Sequence, residues 1–148
     1  HNLAPLLPYA IMTAESALRP EVTSPAGARG LMQLMPSLAA ELHAELLGEG
    51  YDPDWLYQPG YNAWLGTTEL GRLGARFVEA GYEAELALII AAYNGGEEAV
   101  MRWLSEVEGP LEIDQFTENI GYTETRRYVK RVLGYLAAYR LVYGEPEE

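Results

Sequence analysis

The chain has 148 residues, 49% of them apolar, which is enough to bury a sizeable core and short enough to be read as one domain over residues 1–148. Ten Lys and Arg against 22 Asp and Glu give a net charge of −12, which repels phosphate backbones and anionic membrane surfaces and argues against nucleic acid as a partner. With no cysteine, and only His1 and His43 as histidines, disulfides, thiolate nucleophiles and the usual metal and Ser-His-Asp centres lack their parts, so neither a metal nor a cofactor is expected.

Leu3 to Met12 is apolar but contains Pro5 and Pro8 and lacks a basic leading segment. It does not read as a signal peptide, so any targeting segment is expected to lie outside residues 1–148. From Leu6 to about Ser16 the residues Leu7, Ile11 and Met12 recur at helical spacing, after which Pro20, Pro25, Gly27 and Gly30 punctuate a loop. Leu31 to Met35 is a brief apolar turn, and Pro36 suits the first position of a helix continuing to about Leu47, where Gly48 and Gly50 stop it. Pro53 to Gln58 suggests a single turn carrying Trp55. Tyr61, Leu65, Leu70, Leu73 and Phe77 then trace a longer helix, and its Gly66, Gly71 and Gly74 imply close helix packing, because each costs about 1 kcal/mol relative to Ala.

Glu83 to Asn94 is nearly all apolar after its first turn, as a central buried helix requires, and Leu86 to Tyr93 is the longest apolar run, far short of a membrane span. Gly95 and Gly96 end it, and a helix from Glu97 to about Val107 follows, with acidic residues at its positive end. Three or four residues near Gly109 are the one place where a strand is conceivable. A short segment spans Ile113 to Ile120, and the last helix carries Val129, Val132, Leu133, Leu136, Tyr139, Arg140 and Tyr143 as a stripe over about five turns. Arg126, Arg127, Lys130 and Arg131 read as one solvated face of that helix. Glu145 to Glu148 reads as a frayed acidic tail within residues 144–148.

Glu15 lies four residues after Ile11 and eight after Leu7, so a helix places its carboxylate on the apolar face. Burial there raises its pKa, the adjustment a general acid working near neutral pH requires. The competing reading ends the helix near Glu15 and lets the side chain reach water.

Glu15-Ser16, Pro20, Ser24-Pro25, Gly27-Ala28 and Gly30-Leu31-Met32-Gln33-Leu34-Met35-Pro36 resemble the signature of the soluble lytic transglycosylases and their goose-type lysozyme-like relatives. Ala92-Tyr93-Asn94-Gly95-Gly96 resembles a later motif of that family, and so does Glu124-Thr125-Arg126 with Tyr128-Val129-Lys130 and Val132-Leu133. The resemblance implies an all-α, lysozyme-like domain of about eight short helices around a glycan-binding cleft. It implies that Glu15 is the catalytic acid and base, and that Ser24, Gln33, Met35, Tyr93 and Asn94 surround the sugar. Glu118 is similar to the acidic residue that the family keeps ahead of Glu-Thr-Arg, and Tyr139, with Tyr135 as the alternative, to its last-helix tyrosine. Each residue also has a plainer reading: Ser24 as a turn residue, Met35 as packing, Asn94 as a helix C-cap and Glu118 as surface.

The same resemblance implies non-hydrolytic cleavage of the β-1,4 bond between N-acetylmuramic acid and N-acetylglucosamine, leaving 1,6-anhydro ends. It further implies peptidoglycan glycan strands as partner, the bacterial periplasm or cell envelope as location, and an additional N-terminal helical domain on the full-length chain.

Overall fold

In the computed structural model, which describes residues 3–83 and 85–144, the chain folds into seven α-helices and one 3-10 turn. The helices are α1 (Leu7–Ser16), α2 (Pro36–Leu47), α3 (Pro59–Glu79), α4 (Leu86–Gly95), α5 (Glu97–Ser105), α6 (Ile113–Glu118) and α7 (Thr123–Tyr143), with the 3-10 turn at Pro53–Tyr57. The all-α expectation holds, although α3 and α7 are long, at 21 residues each. The residues expected to form an acidic tail, Glu145 to Glu148, lie outside the described residues, as does His1.

Local signals explain most boundaries. Proline occupies the first turn of α2 and α3, where its missing N–H breaks no helical bond. Gly48 and Gly96 end α2 and α4 with positive φ, which side chains rarely tolerate. Helix α7 begins at Thr123, six residues before the stripe that marks it in the sequence. Near Gly109 the backbone forms no strand. The only β-bridges among the described residues join Thr23 to Arg29 and Arg29 to Leu34, in the loop between α1 and α2. That loop pairs because Gly27 and Gly30 let it fold back on itself with left-handed backbone, whereas nothing opposes the residues near Gly109.

Two hydrophobic cores result. The larger gathers Leu7 and Ile11 of α1, Leu88 to Ala92 of α4, Val100 of α5 and Tyr128, Val129, Val132 and Leu136 of α7, with α1 and α4 both lying on α7. The smaller consists of Leu34, Ala39, Leu42, Leu56 and Leu65, contributed by the loop, α2, the 3-10 turn and α3. Tyr93 packs against both. Gly66, Gly71 and Gly74 are buried on α3, and a methyl group at Gly66 would collide with Met32. The close packing inferred from these glycines is therefore present at Gly66. No helix among the described residues is long and apolar enough to cross a membrane.

Candidate active site

Glu15 occupies the last turn of α1, half-buried, with Leu7 and Ile11 fully buried on the same side of the helix. Burial raises its carboxyl pKa. The phenol of Tyr128 and the positive charge of Arg131 oppose that rise, and Glu124 reinforces it. Tyr128, itself buried in α7, donates a 2.6 Å hydrogen bond to Glu15 Oε1. Burial and the adjacent carboxylate push the Tyr128 phenol far above its ordinary range, so this hydroxyl remains a donor. The Arg131 guanidinium lies over the Tyr128 ring, 5.5 Å from its centroid.

Immediately after Glu15 the chain reverses. Ala17 and Leu18 adopt left-handed φ values of 50° and 61°, uncommon for residues with a β-carbon. Ser16 donates through Oγ to Leu31 O at 2.8 Å and so ties the end of α1 to the returning loop. One buried amide holds that loop. Asn62 of α3 accepts from Met32 N at 2.8 Å and donates to Arg29 O at 2.8 Å and Leu56 O at 2.9 Å. Tyr93 of α4 adds a hydrogen bond from its hydroxyl to Met32 O at 2.8 Å.

Gln33, Met35 and Tyr93 line one depression of about 260 Å³ between the two cores, together with Leu38 and Glu69. Gln33 has a left-handed φ of 50° and uses its side-chain nitrogen internally, donating to Val22 O and Gly30 O, while Met35 is exposed. Burial raises the Tyr93 phenol pKa, and the charges of Glu15 and Glu69 raise it further, which puts that ring in the field of both carboxylates. Asn94 follows Tyr93 near the end of α4 and accepts a 2.8 Å hydrogen bond from Thr125 Oγ1, joining α4 to α7.

The other expected site residues lie apart from that depression. The Ser24 hydroxyl accepts from Ala28 N at 3.0 Å, closing a turn in the loop. Glu118, on α6, forms an exposed ion pair with Lys130 at 2.7 Å, and the hydrogen bond from Lys130 lowers its pKa. Tyr139 hydrogen-bonds Thr13 Oγ1 at 2.7 Å and stacks on Tyr143. It lines a separate apolar hollow of about 460 Å³ with Leu6, Tyr9 and Leu18, whereas Tyr135 packs against the larger core.

Four residues escaped the sequence reading. Tyr128 and Thr125 stand inside a quoted block, yet nothing local tells which of its side chains turns toward Glu15. Asn62 lies three residues before Leu65 on the inward face of α3, where a polar residue is itself a signal of buried hydrogen bonding. Glu69 carries no such mark.

Comparison with known proteins identifies the family. The family model described as the transglycosylase SLT domain matches residues 1–116. The chain belongs to this family. A soluble lytic murein transglycosylase of Escherichia coli is 39% identical over 137 residues, covering 92% of this chain and 20% of that protein. The crystal structure of the 70-kDa soluble lytic transglycosylase from Escherichia coli superposes with a TM-score of 0.84 at 36% identity, covering 94% of this chain and 22% of that one. The X-ray structure of an inactive Glu-to-Gln mutant of the lytic transglycosylase Slt from Pseudomonas aeruginosa gives a TM-score of 0.84 at 33% identity, over 95% of this chain and 22% of that one. The chain thus spans about a fifth of the length of these relatives. The lysozyme-like fold expected from the motifs is the fold found.

Proposed function

We propose that this domain is a peptidoglycan lytic transglycosylase that cleaves the β-1,4 bond between N-acetylmuramic acid and N-acetylglucosamine, with Glu15 as general acid and then general base. The observation that carries the reading is the half-buried Glu15 carboxyl, raised in pKa by burial and held by the Tyr128 hydroxyl at 2.6 Å. A glycosidic oxygen is a poor leaving group until protonated, and a carboxyl kept protonated toward neutral pH supplies that proton. The acetamido oxygen of the muramic residue stabilises the positive charge developing at C1, so the enzyme needs no second carboxylate as nucleophile. Glu15, now ionised, takes the proton from the C6 hydroxyl as that oxygen attacks C1. The 1,6-anhydro ring closes and the carboxyl is restored.

Tyr128 orients the carboxyl through both steps, because its hydrogen bond persists whether or not Glu15 is charged. Gln33, Met35 and Tyr93 form the nearest sugar-binding surface, with Ser24, Asn94, Glu118 and Tyr139 as flanking substrate contacts. The inactive Glu-to-Gln mutant among the similar structures supports dependence on a glutamate. The name of the relative supports murein as substrate, and with it the bacterial periplasm or envelope as location, while the small share of the relatives that this chain covers, 20% and 22%, supports further domains on the natural chain. Digestion of purified peptidoglycan followed by mass spectrometry of the muropeptides tests this. Anhydro ends, one water lighter than hydrolysed ends, are expected, and exclusively hydrolysed ends would replace the reading with that of a lysozyme.

A further inference from the structure

Glu69 has no part in the mechanism above, yet it lines the same depression as Gln33, Met35 and Tyr93. Its side chain is 15% exposed, and its Oε2 is buried without a hydrogen-bond partner. The neighbouring Arg72 Nη1 forms a loose ion pair with it at 3.8 Å, too far for a hydrogen bond, and has no hydrogen-bond partner of its own, while Arg72 Nη2 reaches toward Glu45 at 3.5 Å. Oε2 is therefore desolvated and only loosely neutralised, an expensive state for a carboxylate. Burial accordingly raises its pKa, with Arg72 and Arg76 only partly opposing that rise.

We propose that Glu69 is a specificity-determining residue that recognises a primary ammonium group of the wall polymer. The inference rests on the reading that this cleft binds wall glycan. A carboxylate only accepts hydrogen bonds, so it selects donors. Among the donors a wall polymer offers, an ammonium makes the strongest contact, because both partners are charged. An acetamido group also presents an oxygen, which the Glu69 carboxylate repels; Glu97 lines the same depression but is already held in an ion pair by Arg76, so Glu69 is the carboxylate left to accept from a ligand. Leu38, Leu73 and Ala92 supply apolar walls that lower the local dielectric and strengthen such a pair. The net charge of −12 draws cationic groups toward the surface as well. Two parts of the polymer carry this chemistry: a hexosamine that has lost its N-acetyl group, and the side-chain amine of a diamino acid on an uncross-linked peptide stem.

The test is titration calorimetry with the Glu15→Gln chain, which prevents turnover. The ligands are a chitooligosaccharide and its fully de-N-acetylated counterpart of equal length. The amine-bearing ligand is expected to bind roughly tenfold more tightly, and adding Glu69→Gln is expected to erase the difference. Equal affinities, or a preference that survives Glu69→Gln, overturn the proposal. Should Glu69→Gln fail to fold, Arg72→Gln removes the adjacent competing cation and is expected to enlarge the preference, and an unchanged preference is then the overturning result.

Peptidoglycan binding separates the two sources. A Glu69-dependent preference kept by stem-free strands and abolished by acetylation assigns the amine to the sugar, whereas one lost with the stems assigns it to the peptide. Binding without a Glu69-dependent amine preference in either material overturns the proposal. Because these readouts need no bond cleavage, they stand or fall apart from the role of Glu15.

Discussion

The two cores hold the two parts of the candidate site by different means. The larger core is helix against helix, and α1, α4 and α7 present Glu15 and Tyr128 through ordinary apolar packing. The smaller core backs a wall with little regular structure, where a loop is held by Asn62, the Tyr93 hydroxyl and two isolated bridges. One side fixes a reacting group by burying its helix. The other fixes a binding surface by satisfying main-chain groups that no helix or sheet satisfies. Damage to the first side should therefore appear in chemistry, and damage to the second in stability and binding.

The largest effect is expected from Glu15→Gln. Cleavage of peptidoglycan should fall by about 10²–10⁴-fold, the usual worth of a general acid, with glycan binding kept. Full activity in the variant would dismantle the distinction between a reactive and a binding side. On the other side, Asn62→Ala removes three hydrogen bonds and leaves buried main-chain groups unpaired. A loss of about 3 kcal/mol in denaturant unfolding is expected. Gly30→Ala should also destabilise, because its φ is +77° and a β-carbon there would collide with Leu56 O and the Asn62 side chain.

Tyr128→Phe is smaller and sharper. It should cost about 1–2 kcal/mol of stability. Because the phenol opposes the upward shift of Glu15, its loss should move the alkaline limb of the pH–rate profile to higher pH. An unmoved limb would mean that the hydrogen bond does not tune the carboxyl.

The raised pKa of Glu15 also has a thermodynamic sign. Between the ordinary value of 4.5 and the raised native value, the folded chain binds more protons than the unfolded one, so the stability due to this group falls as pH rises. Glu15→Gln lacks that loss. Its melting temperature relative to wild type should climb across this window and level off above it, whereas a constant difference would contradict the burial argument. The smallest effect belongs to Glu118→Gln, which breaks an exposed ion pair and should leave the melting temperature unchanged.

Much of the helical side was legible in the sequence, because burial writes itself as spacing. Leu7, Ile11 and Glu15 fall on one face, and the unbroken apolar run from Leu86 matches the buried α4. The first turn of α7 was harder to read, since Thr123 to Tyr128 is polar or aromatic and its inward groups, Thr125 and Tyr128, are defined by partners on α4 and α1. The strand considered near Gly109 failed for the same reason: residues form a bridge only when something lies opposite. Motif resemblance supplied Gln33, Met35 and Tyr93, which share one depression, but order along the chain does not show that Tyr139 faces a different hollow from theirs. Glu69 was invisible because a glutamate on α3 gains meaning only from the orphaned oxygen and the groove beside it.

The grip of Asn62 has an evolutionary corollary. Its amide touches only backbone atoms of Arg29, Met32 and Leu56, so the anchoring contacts themselves do not depend on which side chains those positions carry. Residues facing the groove at 33 and 35 can accordingly be exchanged to suit a differently decorated polymer while the clasp behind them stays as it is, which separates the inheritance of the scaffold from the drift of its taste.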